Sequence, residues 1–323
     1  MTELIDAHAH LAALDDGANG CFVSRKLLRS PLLKFLAWKH RFDFSKPRET
    51  NAKYIADLLA ELRGSRRVSK AVLLAMDGVY DSAGRRDDRD THFVVGNDYV
   101  LATARAHPEL LAGVSINPQR RDAVDEVHRC AEAGAVLVKV LPNSQRFDPG
   151  DKRYLPFYRA LAERRLPLLS HVGFEMALIG VDQSVGEPAR LRTPLDEGVT
   201  VIAAHACSFG LFFNQRYASE MGALVERYPR FFTDVSATTL PHRMSMLWRL
   251  RREPAIQERL IFGTDYPLSV FHCACWGRVS FSTLRELVRT KNRFDRQALV
   301  CEHLGLRVRS VGDLIPRPPV SRQ

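Results

Sequence analysis

Short apolar runs rich in β-branched residues recur eight times along the chain, with helical patterns between them, and this alternation limits the fold more than any other feature. The runs read as strands over 4–8, 70–76, 111–117, 136–141, 167–172, 200–205, 231–235 and 260–264. Several are apolar on both faces, as in Ala71-Val72-Leu73-Leu74-Ala75 and Val136-Leu137-Val138. That is the composition of parallel strands covered on both sides by helices. Helices are expected over 51–63, where Ile55, Leu58, Leu59 and Leu62 fall at helical spacing, and over 122–133, with Gly134 as the C-terminal cap. Further helices are expected over 154–165, 218–228, 243–252, 281–289 and 296–304. Eight strands alternating with helices predict an α/β fold with one parallel sheet. Closure into a (β/α)8 TIM barrel with right-handed crossovers is the natural arrangement. A single domain over residues 1–323 follows, because such barrels commonly exceed the length at which other folds divide.

The first unit is irregular. An insertion over 10–50 separates the first strand from its helix, a long connection for a compact domain. Its 22–44 portion is rich in Leu, Phe, Lys and Arg and contains Trp38. It reads as a lid over substrate or as a segment packing on the barrel or a second subunit, with a membrane-surface helix as the lesser alternative. Pro31 should break or restart any helix there. Residues 306–323 read as a tail, with Pro316, Pro318 and Pro319 giving an extended end.

Composition narrows the function classes. No apolar run reaches the roughly 18 residues of a membrane span. The start, Met1-Thr2-Glu3-Leu4-Ile5-Asp6, has neither the basic cluster nor the apolar core of a signal peptide, so a cytoplasmic protein is expected. The net charge of +10 is mostly arginine spread along the whole chain. A diffuse positive field suits a small acidic substrate better than nucleic acid, which is not an expected partner. Six cysteines without a C-x-x-C pair read as reduced, structural thiols. Self-association into a homo-oligomer is left open.

The chemistry is carried by the strand ends. The first strand closes on Asp6-Ala7-His8-Ala9-His10, and residues two apart on a strand point the same way, so His8 and His10 should face one site. His171 ends the fifth strand, His205 the sixth and Asp265 the eighth. A barrel gathers the C-terminal ends of its strands into one mouth, so five metal-type side chains should converge there. Lys139, inside the apolar string Val138-Lys139-Val140, is the sixth member. A lysine in such a strand needs a partner or a shifted pKa. Carbamylated, it would bridge two metals; unmodified, it would hold or polarise a substrate; a structural ion pair is the third reading. Arg120, Arg121, Arg146, His92 and Asp90 fall near strand–helix loops and are candidates for holding a substrate carboxylate.

This set, H-x-H on strand one, Lys on four, His on five and six and Asp on eight, resembles the amidohydrolase superfamily. The strings over 6–10, 138–147, 171–173 and 262–267, together with Asn117-Pro118, are similar to its amidohydrolase-related branch, which includes aminocarboxymuconate-semialdehyde decarboxylase-like enzymes. The resemblance implies that His8, His10, His171 and Asp265 ligate a divalent metal, with zinc the expected ion. His205 would then act on the bound water or the substrate. In a two-metal site it would ligate the second ion, with Lys139 as bridge. Asp265 would move the water's proton to the leaving group. The reaction implied is hydrolysis of an amide, ester or lactone of a small acidic molecule; decarboxylation on the same site is the alternative. A metal-dependent deoxyribonuclease and a non-catalytic metal-binding barrel are rival readings; Lys139 stands where the former usually has a glutamate. The family often has glycines after the strand-six histidine, where this chain has Ala206-Cys207, so that loop's shape is open, as is an approach of Cys207 to the metal.

Overall fold

The computed structural model describes residues 3–175, 178, 180–209 and 215–316. Eight parallel strands form one sheet in chain order: β1 (Ile5–His10), β2 (Lys70–Leu74), β3 (Leu110–Ser115), β4 (Ala135–Val140), β5 (Leu168–Ser170), β6 (Val201–Ala203), β7 (Phe231–Asp234) and β8 (Leu260–Ile261). Beyond β8 the chain returns to β1: Ala7 N donates to Phe262 O at 3.0 Å, Asp265 N to His8 O at 2.8 Å and His10 N to Tyr266 O at 2.9 Å. The sheet therefore comes round on itself, and with helices between the strands the architecture is the TIM barrel that the alternation predicts. The seam is also stapled by side chains, because Thr264 Oγ1 donates to Asp6 Oδ2 at 2.5 Å and Thr264 N to Asp6 Oδ1 at 3.2 Å.

Helices Pro47–Arg63, Ala123–Glu132, Leu155–Glu163, Ala218–Arg227, Met244–Leu250, Phe281–Arg289 and Arg293–His303 match the expected series. Asn97–Ala106 is an additional helix that the pattern does not announce: its cap, Gly96, offers no side-chain oxygen, and its buried face is Asn97, Val100, Leu101 and Thr103 rather than an apolar stripe. Gly134 takes φ +98°, as a C-terminal cap should.

Two apolar layers hold the barrel. Ile5, Ala7, Val72, Leu137, Leu169, Ile202, Phe232 and Ile261 fill its floor, and a larger cluster joins strands to helices. Ile5 and Ala7 belong to the floor, whereas Ala9 belongs to the outer cluster, and the register between β1 and β2 shifts between Asp6 and Ala9. This irregularity flips the alternation and turns His8 and His10 toward the mouth.

Two expectations are corrected. The stretch from 306 does not trail away at once. Phe262 N donates to Arg309 O and Arg309 N to Leu260 O, Ile5 N donates to Ser310 Oγ at 3.1 Å, and Val311 joins the floor cluster. Pro318 and Pro319 lie outside the described residues. β6 also stops short of the expected 205, where the chain turns into a left-handed conformation with His205 at φ 59°, and β8 ends at Ile261, ahead of the expected 264.

In the insertion, Phe22–Val23 pairs antiparallel with Phe93–Val94, and helix Pro31–His40 begins at Pro31 behind a Ser30 cap, so Pro31 restarts a helix. Phe42 packs on Tyr54, whose hydroxyl donates to His10 O at 2.6 Å. No helix among the described residues is long and apolar enough to cross a membrane.

Candidate metal centre

Three ligand-type atoms form a small triangle at the mouth. His8 Nε2 and His10 Nε2 are 3.2 Å apart, His10 Nε2 and Asp265 Oδ1 3.2 Å, and His8 Nε2 and Asp265 Oδ1 3.6 Å. A tetrahedral ion with bonds of about 2.0–2.1 Å has ligand-to-ligand edges of roughly 3.3–3.4 Å, so the triangle has the size of one face of such a site. Lys139 Nζ lies 3.2 Å from His8 Nε2 and is buried. The His205 ring stacks 5.2 Å from that of His8, and the His171 ring lies edge-on 5.1 Å from His205. All six residues expected at the mouth are therefore brought together there.

His171 supplies an independent sign that a cation fits. Its Nε2 is buried and has no hydrogen-bond partner among the described residues, the Glu175 carboxylate being 3.5 Å away. A buried ring nitrogen left unpaired is costly, and a metal ion in the mouth would remove the cost.

The hydrogen-bond network assigns the histidine tautomers. Ser236 Oγ donates to Asp234 Oδ1 at 2.5 Å, so its proton is committed. His8 Nδ1 then donates to Asp234 Oδ2 at 2.8 Å, and His205 Nδ1 donates to Ser236 O at 3.1 Å and Ser236 Oγ at 2.9 Å. With the protons on Nδ1, both rings present an Nε2 lone pair. Burial pushes His8 below the usual histidine range, and His171 and His205 well below it, in the direction of the neutral form that ligates a metal. Burial opposes charge on Asp265, but His8, His10 and His205 outweigh it and hold the carboxyl well below its ordinary value. Burial also pulls Lys139 down to about 8.

The backbone around these groups is strained. His205, Ala206 and Cys207 take φ of 59°, 51° and 50° in succession, and Asp265 takes 63°. L-residues avoid this region at a cost of about 1–2 kcal/mol each. The glycines expected after the strand-six histidine would sit here at lower cost; in this chain Ala206 and Cys207 bear the strain instead. The Cys207 thiol is buried next to Thr233, with its pKa pushed up by that burial, and it joins no metal-type grouping among the described residues.

Four residues at the mouth escape sequence reasoning. Asp234 ends β7 and, with Ser236, orients His8 and His205; its position at a strand end is the available signal. Glu175 and Arg243 come from loops, where no periodicity marks them. Conversely, Arg120 is paired with Asp122 and Asp77, Arg146 with Asp90, and His92 with Ser24.

The amidohydrolase family model matches residues 5–274. No curated protein matches. Among solved structures, the chain is similar to an uncharacterised TIM-barrel protein from Bordetella bronchiseptica, with 15% identity, 94% of this chain and 99% of that one covered, and a TM-score of 0.58. It is also similar to a 5-carboxyvanillate decarboxylase from Sphingomonas paucimobilis, with 15% identity, coverage of 96% and 100%, and a TM-score of 0.51. A probable 2-pyrone-4,6-dicarboxylic acid hydrolase from Acinetobacter baumannii, with citric acid bound, gives 12% identity, coverage of 94% and 99%, and a TM-score of 0.51. At these identities the likeness is one of fold.

Proposed function

The chain belongs to the amidohydrolase family, and from that premise we propose that it is a metal-dependent hydrolase cleaving an amide, ester or lactone bond of a small acidic molecule. The observation that carries this reading is the triangle of His8 Nε2, His10 Nε2 and Asp265 Oδ1, with the unpartnered Nε2 of His171 beside it. His8, His10, His171 and Asp265 would hold a divalent ion, zinc in this proposal. When bound, such an ion lowers the pKa of a water toward neutrality and polarises the substrate carbonyl.

The protein's own groups supply the rest. Asp265 is held ionised, so it can take a proton from the attacking water and return it to the leaving group. His205 offers an Nε2 lone pair rather than an N–H, so it serves as a base toward water or as a ligand for a second ion, and not as an oxyanion donor. Asp234 fixes the orientation of His8 and raises its basicity as a ligand. Lys139, whose Nζ lies 3.2 Å from His8 Nε2, would either bridge two ions as a carbamate or touch substrate as an amine.

Decarboxylation on the same residues is a second reading, favoured by the 5-carboxyvanillate decarboxylase of similar fold. A proton that Asp265 first takes from a water molecule would then pass to the carbon that loses carbon dioxide. Assaying metal-loaded protein on a panel of lactones, amides and aromatic acids, with parallel trapping of carbon dioxide, tests both. Turnover lost on chelation and restored by metal supports the proposal, and release of carbon dioxide selects the second reading. Turnover unaffected by chelation contradicts both.

A further inference from the structure

Arg243 immediately precedes the helix Met244–Leu250 after β7 and is only 5% exposed. Its Nη1 donates to Ser208 Oγ at 2.7 Å and Ser208 O at 3.2 Å, and its Nη2 reaches Phe174 O at 3.5 Å. Ser208 lies three residues beyond His205 and Phe174 three beyond His171, so the guanidinium stands where the loops after β5, β6 and β7 meet over the mouth. Those loops are locked to each other: Phe174 N donates to Phe209 O at 2.8 Å, and Gly173 leaves room for Ser208 O, which would lie 2.3 Å from any Cβ there.

An arginine stays charged in any environment, and burying it opposite neutral oxygens alone is expensive. No carboxylate of a described residue comes within 4.0 Å of its nitrogens; Asp265, Glu175 and Asp234 act on it only through space. The Nη1 side is fully engaged with Ser208. Among the described residues, the Nε–Nη2 edge, the pair of parallel N–H groups that a carboxylate takes bidentately, has only the long contact to Phe174 O.

We propose that Arg243 is the substrate-carboxylate anchor of this mouth, taking a carboxylate on its Nε–Nη2 edge while Ser208 holds its other side. This rests on the metal-dependent reading of the same site and narrows its substrates to carboxylic acids. The carboxylate would supply the charge partner that the fold omits. Ser208 is then a positioning residue, acting through the guanidinium.

The test is isothermal titration of metal-loaded protein with benzoate, phthalate, succinate and citrate, with uncharged benzamide as control. At least one carboxylate should bind the wild type and benzamide should not. Arg243→Gln should weaken that binding roughly ten- to hundred-fold, and Arg243→Lys, which keeps the charge but loses the fork, by an intermediate factor. Metal content and circular dichroism should stay unchanged. Should Arg243→Gln not fold, Ser208→Ala carries the same test, with an expected loss of several-fold. Carboxylate affinity that is unchanged in these variants, or no carboxylate binding to the metal-loaded wild type, overturns the proposal. Wild-type protein that takes up no divalent ion overturns the metal reading instead, so the two failures are distinguishable.

Discussion

His8 donates from Nδ1 to Asp234 Oδ2 at 2.8 Å, and this single bond commits its other nitrogen, Nε2, to the mouth. The same carboxylate accepts from His205 N at 2.8 Å through Oδ1, so Asp234 couples the ends of three strands. Asp234→Asn keeps the shape but removes the charge. It should weaken metal binding about 10- to 100-fold while leaving the fold in place, as read by competition with a chelator and by circular dichroism. Unchanged affinity would show that Asp234 has no part in orienting the ligand.

In the proposed mechanism Asp265 both ligates the ion and carries a proton. Asp265→Asn should lower turnover by about 100- to 10,000-fold with little change in the melting temperature. His8→Ala should abolish turnover. Wild-type rates in either variant would move the active site elsewhere.

Lys139 is discriminated by chemical rescue. Lys139→Ala should lose at least about 100-fold in activity, the low end of what a positioned group contributes. Restoration by acetate or propionate would identify a carbamate bridging two ions, whereas restoration by small amines would identify an ammonium acting on substrate. An unmodified amine in the mass of active enzyme would remove the bridge.

Two glycines should respond in opposite directions. Gly173 has φ +97°, and a Cβ there would lie 2.3 Å from Ser208 O. Gly173→Ala should therefore destabilise the protein by about 2 kcal/mol or more. Gly222 lies within helix Ala218–Arg227, and a methyl added to its Cα would meet nothing within 4 Å. Gly222→Ala should stabilise by up to about 1 kcal/mol. Thermal melts of the two variants check both signs.

The barrel is legible in the sequence because parallel strands buried on both faces, such as Val136-Leu137-Val138, are written as apolar runs. The six residues at the mouth are legible because strand ends converge in that fold, so the position of His171 or Asp265 in the chain implies its position in space. Asp234 obeys the same rule yet stays hidden, because a lone aspartate at a strand end reads equally well as a turn residue. Arg243 and Glu175 reach the mouth through loops whose paths depend on contacts such as Phe174 to Phe209, and nothing local encodes those. The floor-closing role of Val311 is hidden for a similar reason: its partner Ile5 lies at the other end of the chain. The left-handed turn at His205 falls where the sequence offers alanine and cysteine instead of glycine, so no local signal announces it.

The most direct measurement is elemental analysis of the purified wild type beside His8→Ala, His10→Ala and Asp265→Ala, each reconstituted with divalent metal and desalted. At least about one ion per wild-type chain is predicted, with loss of that ion in the variants. A correctly folded wild type that retains no divalent ion, or variants that bind as much as it does, would contradict it.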